Sequence, residues 1–333
     1  MKNIFDREPV TFLNDDFSSY INDSEYFKKI AQEYRNCINN NLRLVSILKS
    51  NTSFINKTSN DQLINALDSN TFFFYEIFDF LTKKIKIDSF SNNLNVDYLA
   101  SFKYLYRDWS YNDNMENEIK LIIKNIDTII PDFLKNSGYN AVFLGAGYGR
   151  LAVELSCHFD EVIAVDNSFT MNYIFNKLGK KNEQISFHLI NLRNVSNVKY
   201  KSISSKAYLR QDLLKNYNKV KYILADCKNL PFKKGSVKII FSIFFTDILP
   251  LNTLLKEVNR VIERGGYFIH FGPLSYHFKS ITELYSADEL IKVFEKNNFE
   301  LIHNNSSEIK NFNIEGLLNV NSYKNLMYTF KKI

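Results

Sequence analysis

Short apolar runs alternate with helix-like segments along most of the chain after residue 140. The apolar runs predict strands at 140–145, 160–166, 220–225, 237–243, 266–271, 299–303 and 326–331. Most segments between them carry apolar residues at three- and four-residue spacing, which predicts helices. This alternation favours an α/β fold of Rossmann-like type, in which helices cover both faces of a mostly parallel sheet. Ligands bind such a sheet at the carboxyl ends of its strands.

The first part of the chain lacks this rhythm and has the pattern of helices. Ser24 can cap a helix whose apolar residues recur at helical spacing, namely Phe27, Ile30, Ala31, Tyr34 and Ile38. Asparagine-rich stretches at 36–41 and 91–95 are expected to be turns or helix ends, and the aromatic cluster at 72–75 is expected in the core. We therefore predict an N-terminal helical subdomain over 1–95 and a sheet domain over 96–333.

Other helices of the sheet domain have clear ends in the sequence. A helix expected to end near Pro131 has an apolar face of Met115, Ile119, Ile122, Ile126 and Ile129. The amphipathic helix at 254–262 should stop at the glycine pair 265–266, which then leads into a buried strand. Ser286 and Glu289 have the spacing of a capping box, which predicts the start of the helix that runs to about residue 297.

One connection between predicted strands is longer than a single crossover needs. It runs from Asn167 to Lys219, so we expect an insertion at about 172–220. Its place in the order of strands would put it over the active-site face. The sequence shows no internal repeat.

Composition narrows the class of protein. A chain of 333 residues with 45% hydrophobic residues can bury a core, and no apolar run is long enough to span a bilayer. The start lacks the apolar stretch of a signal peptide, so we expect a cytoplasmic enzyme. The widely spaced Cys37, Cys157 and Cys227 indicate neither a disulfide framework nor a metal site. A net charge of +6, with lysines scattered among acids, does not by itself favour a nucleic-acid partner.

The most informative motif is a glycine-rich turn after the strand that starts at Asn140. Glycines at 145, 147 and 149 separate this strand from a helix, and such glycines let the backbone approach a ligand closely. Asp166 ends the next apolar run, where a carboxylate can accept hydrogen bonds from ribose hydroxyls. The spacing is G-x-G-x-G, whereas dinucleotide sites have G-x-G-x-x-G, so it favours S-adenosylmethionine as cofactor. Glycine-rich turns also occur as plain loops.

Polar residues follow several other strands. Asp226 and Cys227 come after the strand at 220–225, where they can either contact an adenine or simply cap the strand. Asp247 follows the next strand after an apolar run, and an unpaired carboxylate is costly to bury there. Gly272-Pro273 then forces a turn that would present His277 over the same crevice. The other histidines are expected to be structural.

Five segments in this order resemble the carnosine N-methyltransferase family, over roughly residues 95 to 333. They are Arg107-Asp-Trp-Ser110 with Glu116, Gly145-Ala-Gly-Tyr-Gly-Arg-Leu-Ala152, Asn167-Ser-Phe-Thr-Met171, Phe244-Phe-Thr-Asp247 and Gly272-Pro-Leu-Ser-Tyr-His-Phe278. The resemblance implies a class I methyltransferase sheet of seven strands with the last one antiparallel. It also implies S-adenosylmethionine as cofactor and methyl transfer to a ring nitrogen of a histidyl imidazole.

The resemblance assigns roles to individual residues. The cofactor would contact Tyr104, Arg107, Gly145, Gly147, Gly149, Asp166, Asp226, Cys227 and Ile243. Of these, Arg107 would hold the cofactor carboxylate, Gly145 the methionine part and Asp166 the ribose. The substrate would contact Asp247, His277 and Tyr323. The chain departs from the family in having Tyr104 where members have Gln, and in a thinned run of tyrosines near Tyr323.

These roles predict a mechanism without a metal. Asp247 would accept the N–H of a neutral imidazole, which selects the tautomer and stabilises the imidazolium that methylation forms. His277 and Tyr323 would hold the ring and the rest of the substrate. Trp109 and Phe244 are candidates for aromatic contact with the sulfonium, and the alternative for Trp109 is simple packing in the core.

Three other classes of protein share parts of this pattern. A nucleic-acid methyltransferase should show a basic stripe and an aromatic clamp, and the sequence shows neither. A nicotinamide oxidoreductase is disfavoured by the glycine spacing. A non-catalytic scaffold would have no need of the polar set Arg107, Asp166, Asp247 and His277. The sequence leaves open the exact acceptor and whether the chain forms a homodimer.

Overall fold

The protein is seen here in a computed structural model that describes residues 4–7, 24–50, 57–84, 98–180 and 182–333. Its strands are β1 (Asn140–Leu144), β2 (Glu161–Asp166), β3 (Ile185–Ile190), β4 (Ser202–Ala207), β5 (Val220–Leu224), β6 (Val237–Ile243), β7 (Ile262–Gly272), β8 (Phe299–Asn311) and β9 (Asn321–Lys332). Its helices are α1 (Ser24–Ser50), α2 (Lys57–Lys84), α3 (Tyr98–Trp109), α4 (Asp113–Ile129), α5 (Arg150–Leu155), α6 (Phe169–Lys180), α7 (Leu214–Tyr217), α8 (Leu251–Val261) and α9 (Ala287–Lys296).

Seven strands form one sheet in the order β5-β2-β1-β6-β7-β9-β8. Pairings from β5 to β7 are parallel, whereas β9 is antiparallel to both of its neighbours. This confirms the predicted class I methyltransferase sheet with a single antiparallel last strand. The strands of this sheet that follow β1 in the chain lie first on one side of it, as β2 and β5, and then on its other side, beginning with β6. The carboxyl end of β1 is therefore the switch point of the strand order, where such folds bind ligands.

Both faces of the sheet are covered, which explains the continuous apolar strand β1. Ala141 and Phe143 pack into a core that includes side chains of α1 to α6, whereas Val142 and Leu144 face a second core with α8 and α9. Successive residues of a strand point to opposite faces, so a strand between two helical layers must be apolar throughout. The periodicity predicted helices such as α4 and α9 because each presents one apolar stripe to one of these cores.

Several element boundaries follow the sequence. The helix expected to end near Pro131 is α4, and Asn112 caps its start by accepting from the Asn114 N–H at 3.1 Å. The capping box is present, since Ser286 and Glu289 exchange the expected hydrogen bonds at the start of α9. Both predictions are confirmed.

Two predicted boundaries were wrong. The asparagine-rich stretch 36–41 lies inside α1, because the buried residues Tyr34, Asn41 and Val45 keep one face of the helix against the protein. β7 begins at Ile262 rather than at 266, and the glycine pair forms a bulge between Ile262 and Tyr267, with Gly265 at a φ of +74°. The predicted turn at 91–95 lies outside the described residues.

The aromatic cluster at 72–75 was only half correctly placed. Phe73 and Phe74 are buried in the core, but Phe72 and Tyr75 are exposed. A helix turns by about 100° per residue, so four consecutive residues cannot all face one side.

The long connection after α6 contains the hairpin β3–β4. The Asn70 side chain of α2 binds both backbone groups of His188, donating to its carbonyl and accepting from its N–H, each at 2.9 Å. The tip of the hairpin pairs with the loop after β8 through a bridge between Val195 and Leu317. That loop lies at the carboxyl edge, since β8 runs in the same direction as β7. The connection therefore reaches the edge where a ligand would bind.

Within the described ranges, no helix combines the length and the apolar character needed to cross a bilayer.

Candidate functional site

A crevice of about 330 Å³ opens at the carboxyl ends of β1, β2 and β6. This volume falls in the range of small-molecule sites, about 300–1,000 Å³. The residues predicted for the cofactor that line it are Tyr104, Arg107, Gly145, Gly147, Asp166 and Ile243. These residues come from α3 and three strand ends, and the fold therefore brings them to one place.

The glycine turn forms the floor of the crevice. A Cβ on Gly147 would meet no atom within 4 Å, and its φ of +58° is a conformation that glycine adopts without strain. A Cβ on Gly145 would instead overlap the ring of Phe245. The turn thus leaves open space at Gly147 and close packing at Gly145.

Asp166 is held against this turn at the end of β2. Its carboxylate accepts from the Gly147 N–H at 2.9 Å and from the Ser168 N–H at 2.8 Å. Burial raises the pKa of Asp166 to about 6, while the N–H donors of the loop act to lower it. An ionised carboxylate in this place can accept further hydrogen bonds from hydroxyl groups of a ligand.

Arg107 lies at another part of the crevice wall, near the end of α3. Its Nε donates to the Asp108 carboxylate at 2.7 Å. Its guanidinium carbon lies 5.6 Å from the Tyr104 ring centroid and 5.5 Å from that of Phe312. Two rings and a carboxylate fix the side chain, so a guanidinium is presented at the crevice in one orientation.

Other residues predicted for the cofactor lie away from this crevice. Gly149 packs against Phe175, where a Cβ would overlap the ring, so its role is in packing the turn. Asp226 is exposed and accepts from the Lys228 N–H at 2.9 Å. Cys227 is buried outside the lining, and burial raises the pKa of its thiol.

The two aromatic candidates for the sulfonium behave differently. Phe244 lines the crevice with a φ of +54°, an uncommon conformation for a bulky residue that is typical of functional sites. Trp109 is fully buried, and its indole N–H donates to the Tyr148 carbonyl at 2.8 Å. The guanidinium of Arg150 lies 5.5 Å from the Trp109 ring. Trp109 therefore packs in the core, which was the alternative to contact with the sulfonium.

Asp247 lies in the loop after β6, between Phe245 and Ile248, which line the crevice, but it does not line the crevice itself. Its side chain is buried, and Oδ2 accepts from the Ser275 N–H at 2.8 Å. Burial raises its pKa, against the lowering effects of backbone N–H groups and of His277. The neighbouring Thr246 hydroxyl contacts both Ser242 and His270 Nδ1 at 2.8 Å, which fixes the loop to β6 and β7.

The structure brings His277 into contact with Asp247, but it does not bring Tyr323 to either of them. The backbone N–H of His277 donates to the backbone carbonyl of Asp247 at 2.9 Å, and the side chain of His277 is exposed. Tyr323 is half-buried on β9, opposite Ile309 of β8. Among the hydrogen bonds and ring contacts of the described residues, none joins Tyr323 to Asp247 or His277. None of these three residues lines the crevice.

Helix α1 contacts the segment that follows Asp166. The Tyr26 hydroxyl donates to the carbonyl of Asn167, a residue of the crevice lining. The Tyr34 hydroxyl is hydrogen-bonded to the Thr170 hydroxyl, and the Phe27 and Phe169 rings meet edge to face with centroids 6.0 Å apart. The helical region is therefore in direct contact with the site.

Sequence reasoning missed several residues of this region as site residues, and four of them are informative. Asp108, Phe245 and Ile248 line the crevice, and Glu118 lies behind Arg107. Asp108 and Phe245 lie inside motifs that were recognised, so their neighbours could have indicated them. Glu118 gave a different signal, a carboxylate on the apolar face of a helix between Met115 and Ile122.

Comparison with known proteins matches most of this chain to one family. The family model described as carnosine N-methyltransferase matches residues 87–332. A carnosine N-methyltransferase of Dictyostelium discoideum is 29% identical over 58% of this chain and 44% of its own length. One of Schizosaccharomyces pombe is 22% identical over 64% of this chain and 66% of its own. The chain thus spans about half to two thirds of the length of these relatives.

Among solved structures, the chain is similar to a magnesium protoporphyrin IX methyltransferase from Synechocystis PCC 6803. The two are 12% identical, and the match covers 70% of this chain and 93% of that one, with a TM-score of 0.45.

Proposed function

Because the chain belongs to the carnosine N-methyltransferase family, we propose that it transfers a methyl group from S-adenosylmethionine to an imidazole nitrogen. The acceptor is a histidine-containing small molecule or peptide of the carnosine type. The observation that carries this proposal is the open backbone at Gly147, which lies in one crevice with the carboxylate of Asp166 and the guanidinium of Arg107.

The residues of the crevice fit the chemical groups of S-adenosylmethionine. Asp166 is placed to accept hydrogen bonds from ribose hydroxyls. Arg107 offers a planar donor for the carboxylate of the methionine part. Gly147 leaves space where any side chain would intrude. Ile243 and Phe244 line the crevice with apolar surface suited to an adenine ring. When bound, S-adenosylmethionine supplies an already activated methyl group.

The protein's own residues must orient the acceptor and control its proton. Asp247 accepts the N–H of the neutral imidazole and so leaves the lone pair of the other ring nitrogen free to react. The negative charge of the carboxylate stabilises the imidazolium product. His277, from the loop after β7, and Tyr323, from β9, hold the acceptor. Binding of the acceptor must extend the site from the present lining to Asp247, which lies between the lining residues Phe245 and Ile248 in the chain.

Mass spectrometry of reaction products tests this function directly. The purified chain is incubated with S-adenosylmethionine and, separately, with histidine, carnosine and a histidine-containing peptide. We expect one added methyl group on the imidazole of at least one acceptor. If the protein binds S-adenosylmethionine but methylates none of these, the proposed acceptor class is wrong. Labelling of RNA in a parallel reaction would favour a nucleic-acid methyltransferase instead.

Further parts of this proposal come from the sequence and the resemblance. We propose that the chain divides near residue 95 into a helical subdomain and the methyltransferase domain, with the insertion at about 172–220. Contacts of Asp226 and Cys227 with the adenine, and a cytoplasmic location, also stay predictions. If Asp226→Ala leaves the Kd for S-adenosylmethionine unchanged, Asp226 does not contribute to cofactor binding.

A further inference from the structure

We propose that Glu118 is a positioning residue that links Arg107, in the wall of the crevice, to the loop that follows β8. This inference rests on the proposed function, because it assumes that Arg107 holds the carboxylate of the methyl donor. It adds a role for a buried carboxylate that none of the recognised motifs includes.

The first argument is the cost of placing Glu118 where it is. The residue is 3% exposed on the buried face of α4. One oxygen, Oε2, accepts from the Phe312 N–H at 2.7 Å. The other, Oε1, is buried and has no hydrogen-bond partner among the described residues. A buried, half-satisfied carboxylate destabilises a fold unless a nearby cation offsets it.

The second argument is the charge beside it. Burial raises the pKa of Glu118 to about 6, while Arg107 and the Phe312 N–H act to lower it. Glu118 is therefore mostly ionised at neutral pH. The positive charge of Arg107 is in turn favoured by both Asp108 and Glu118. Asp108 binds Nε directly, whereas Glu118 makes no direct ion pair with Arg107. Glu118 is a second, more distant negative charge, and its physical connection to the guanidinium runs through Phe312.

The third argument is the conformation of Phe312. Its φ is +52°, which is uncommon for a bulky residue. Two contacts hold it there: the hydrogen bond from its N–H to Glu118, and the stacking of its ring over Arg107. Its ring also meets Tyr104 edge to face, with centroids 5.1 Å apart. The start of the loop is therefore fixed to the Arg107 end of the crevice.

This arrangement couples two parts of the site. The loop that starts at Phe312 pairs with the β3–β4 hairpin through Leu317 and then enters β9, which carries Tyr323. A ligand that fixes Arg107 also fixes Phe312, and through it the loop. By linkage, cofactor binding should improve acceptor binding, and the acceptor should improve cofactor binding by the same factor.

Calorimetry of Glu118→Gln with S-adenosylmethionine tests the charge. The amide oxygen can still accept from the Phe312 N–H, but the negative charge beside Arg107 is lost. We expect the Kd to rise about tenfold, which corresponds to about 1.4 kcal/mol. Glu295→Gln, the same change on the exposed face of α9, serves as the control and should leave the Kd unchanged.

Phe312→Ala tests the other side of the link, because it keeps the backbone N–H and removes the ring over Arg107. We expect a weaker Kd for S-adenosylmethionine and a raised KM for the acceptor. The double variant should bind S-adenosylmethionine only slightly more weakly than the weaker-binding single variant. Both changes break the same connection between Glu118, Phe312 and Arg107, so their effects should not add. If Glu118→Gln does not fold, Phe312→Ala alone decides whether the loop acts on cofactor affinity.

The outcomes separate this inference from the proposed function. A wild-type protein that binds no S-adenosylmethionine would overturn both. Wild-type binding with an unchanged Kd in Glu118→Gln or in Phe312→Ala would overturn only the positioning role. Effects of the two variants that simply multiply would show that the residues act separately, and would also overturn the link.

Discussion

The part of the crevice that we propose binds the cofactor and the residues that we propose bind the acceptor are built in different ways. Around Gly147 and Asp166, the site consists of backbone groups and one carboxylate at the ends of adjacent parallel strands, held by hydrogen bonds of 2.8–2.9 Å. On the acceptor side, Asp247, His277 and Tyr323 come from a loop, a second loop and a hairpin strand. Only the first set lines one crevice.

The difference follows from what fixes each set. Strand ends in a buried parallel sheet are placed by the ladder of hydrogen bonds and by two apolar cores, so the residues after β1 and β2 cannot move independently. Loops lack such a ladder and are the usual place of substrate contacts, since they can differ without disturbing the sheet. We therefore expect the proposed cofactor residues to be preformed and the loop around His277 to be more adaptable, whereas the loop of Asp247 is fixed through Thr246.

The largest expected effect tests the acceptor side. Asp247→Asn keeps the shape of the side chain and an oxygen for the Ser275 N–H, but it removes the charge that would accept an imidazole N–H and stabilise the product. We expect kcat to fall about 100- to 1,000-fold, while the Kd for S-adenosylmethionine stays as in the wild type. Rates from mass spectrometry and calorimetry on the same preparation check both. Asp68→Asn, an exposed change on α2, is the control. Unchanged turnover would exclude Asp247 from the chemistry.

The second prediction concerns the stability cost of the cofactor part. Burial raises the pKa of Asp166 from 3.8 to about 6, so the folded state binds its proton more tightly than the unfolded state does. The carboxyl group therefore favours folding below about pH 4, and this contribution is lost as pH rises through 6. Relative to Asp166→Asn, which does not titrate, the cofactor-free wild type should lose about 3 kcal/mol of unfolding free energy over this window.

Urea unfolding of wild type and Asp166→Asn at several pH values between 4 and 7 checks this prediction. The two absolute stabilities also contain the altered hydrogen bonds to Gly147 and Ser168, so the informative quantity is the change of their difference with pH. A difference that stays constant from pH 4 to 7 would mean that the pKa of Asp166 is not raised in the folded protein.

The third prediction compares two glycines of one turn. Gly147→Ala adds a Cβ into open space of the crevice at a positive φ, so we expect a folded protein whose Kd for S-adenosylmethionine rises about tenfold or more. Gly145→Ala places a Cβ against the Phe245 ring, so it should mainly lower the thermal midpoint of unfolding. Calorimetry and thermal unfolding of both variants distinguish the two. The opposite assignment of effects would show that Gly147 does not face the ligand.

The smallest expected effect concerns α1. Tyr26→Phe removes the hydroxyl that donates to the carbonyl of Asn167, the residue directly after Asp166. A hydrogen bond of this kind contributes about 1 kcal/mol, so the Kd for S-adenosylmethionine should rise up to about fivefold with kcat unchanged. Tyr75→Phe, an exposed hydroxyl on α2, is the matched control. Equal affinities of both variants and wild type would confine α1 to a packing role.

The sequence by itself determined the seven-stranded sheet, several helix ends, the glycine turn and the place of Asp166. These features depend on local physics: apolar periodicity, the capping box at Ser286 and the conformational freedom of glycine are all readable within a few residues. The early start of β7 was missed because a bulge between Ile262 and Tyr267 depends on the partner strand, which local pattern does not contain.

Only the tertiary structure decided which strand-end residues share a crevice. Asp226 and Asp166 follow neighbouring strands, yet only Asp166 lines the crevice, and Trp109 next to Arg107 is turned into the core. The hydrogen bond from the Phe312 N–H to the Glu118 carboxylate joins residues that are 194 positions apart in the sequence. Such contacts result from the packing of whole elements against one another, and packing is a property of three-dimensional shape that periodicity along the chain does not specify.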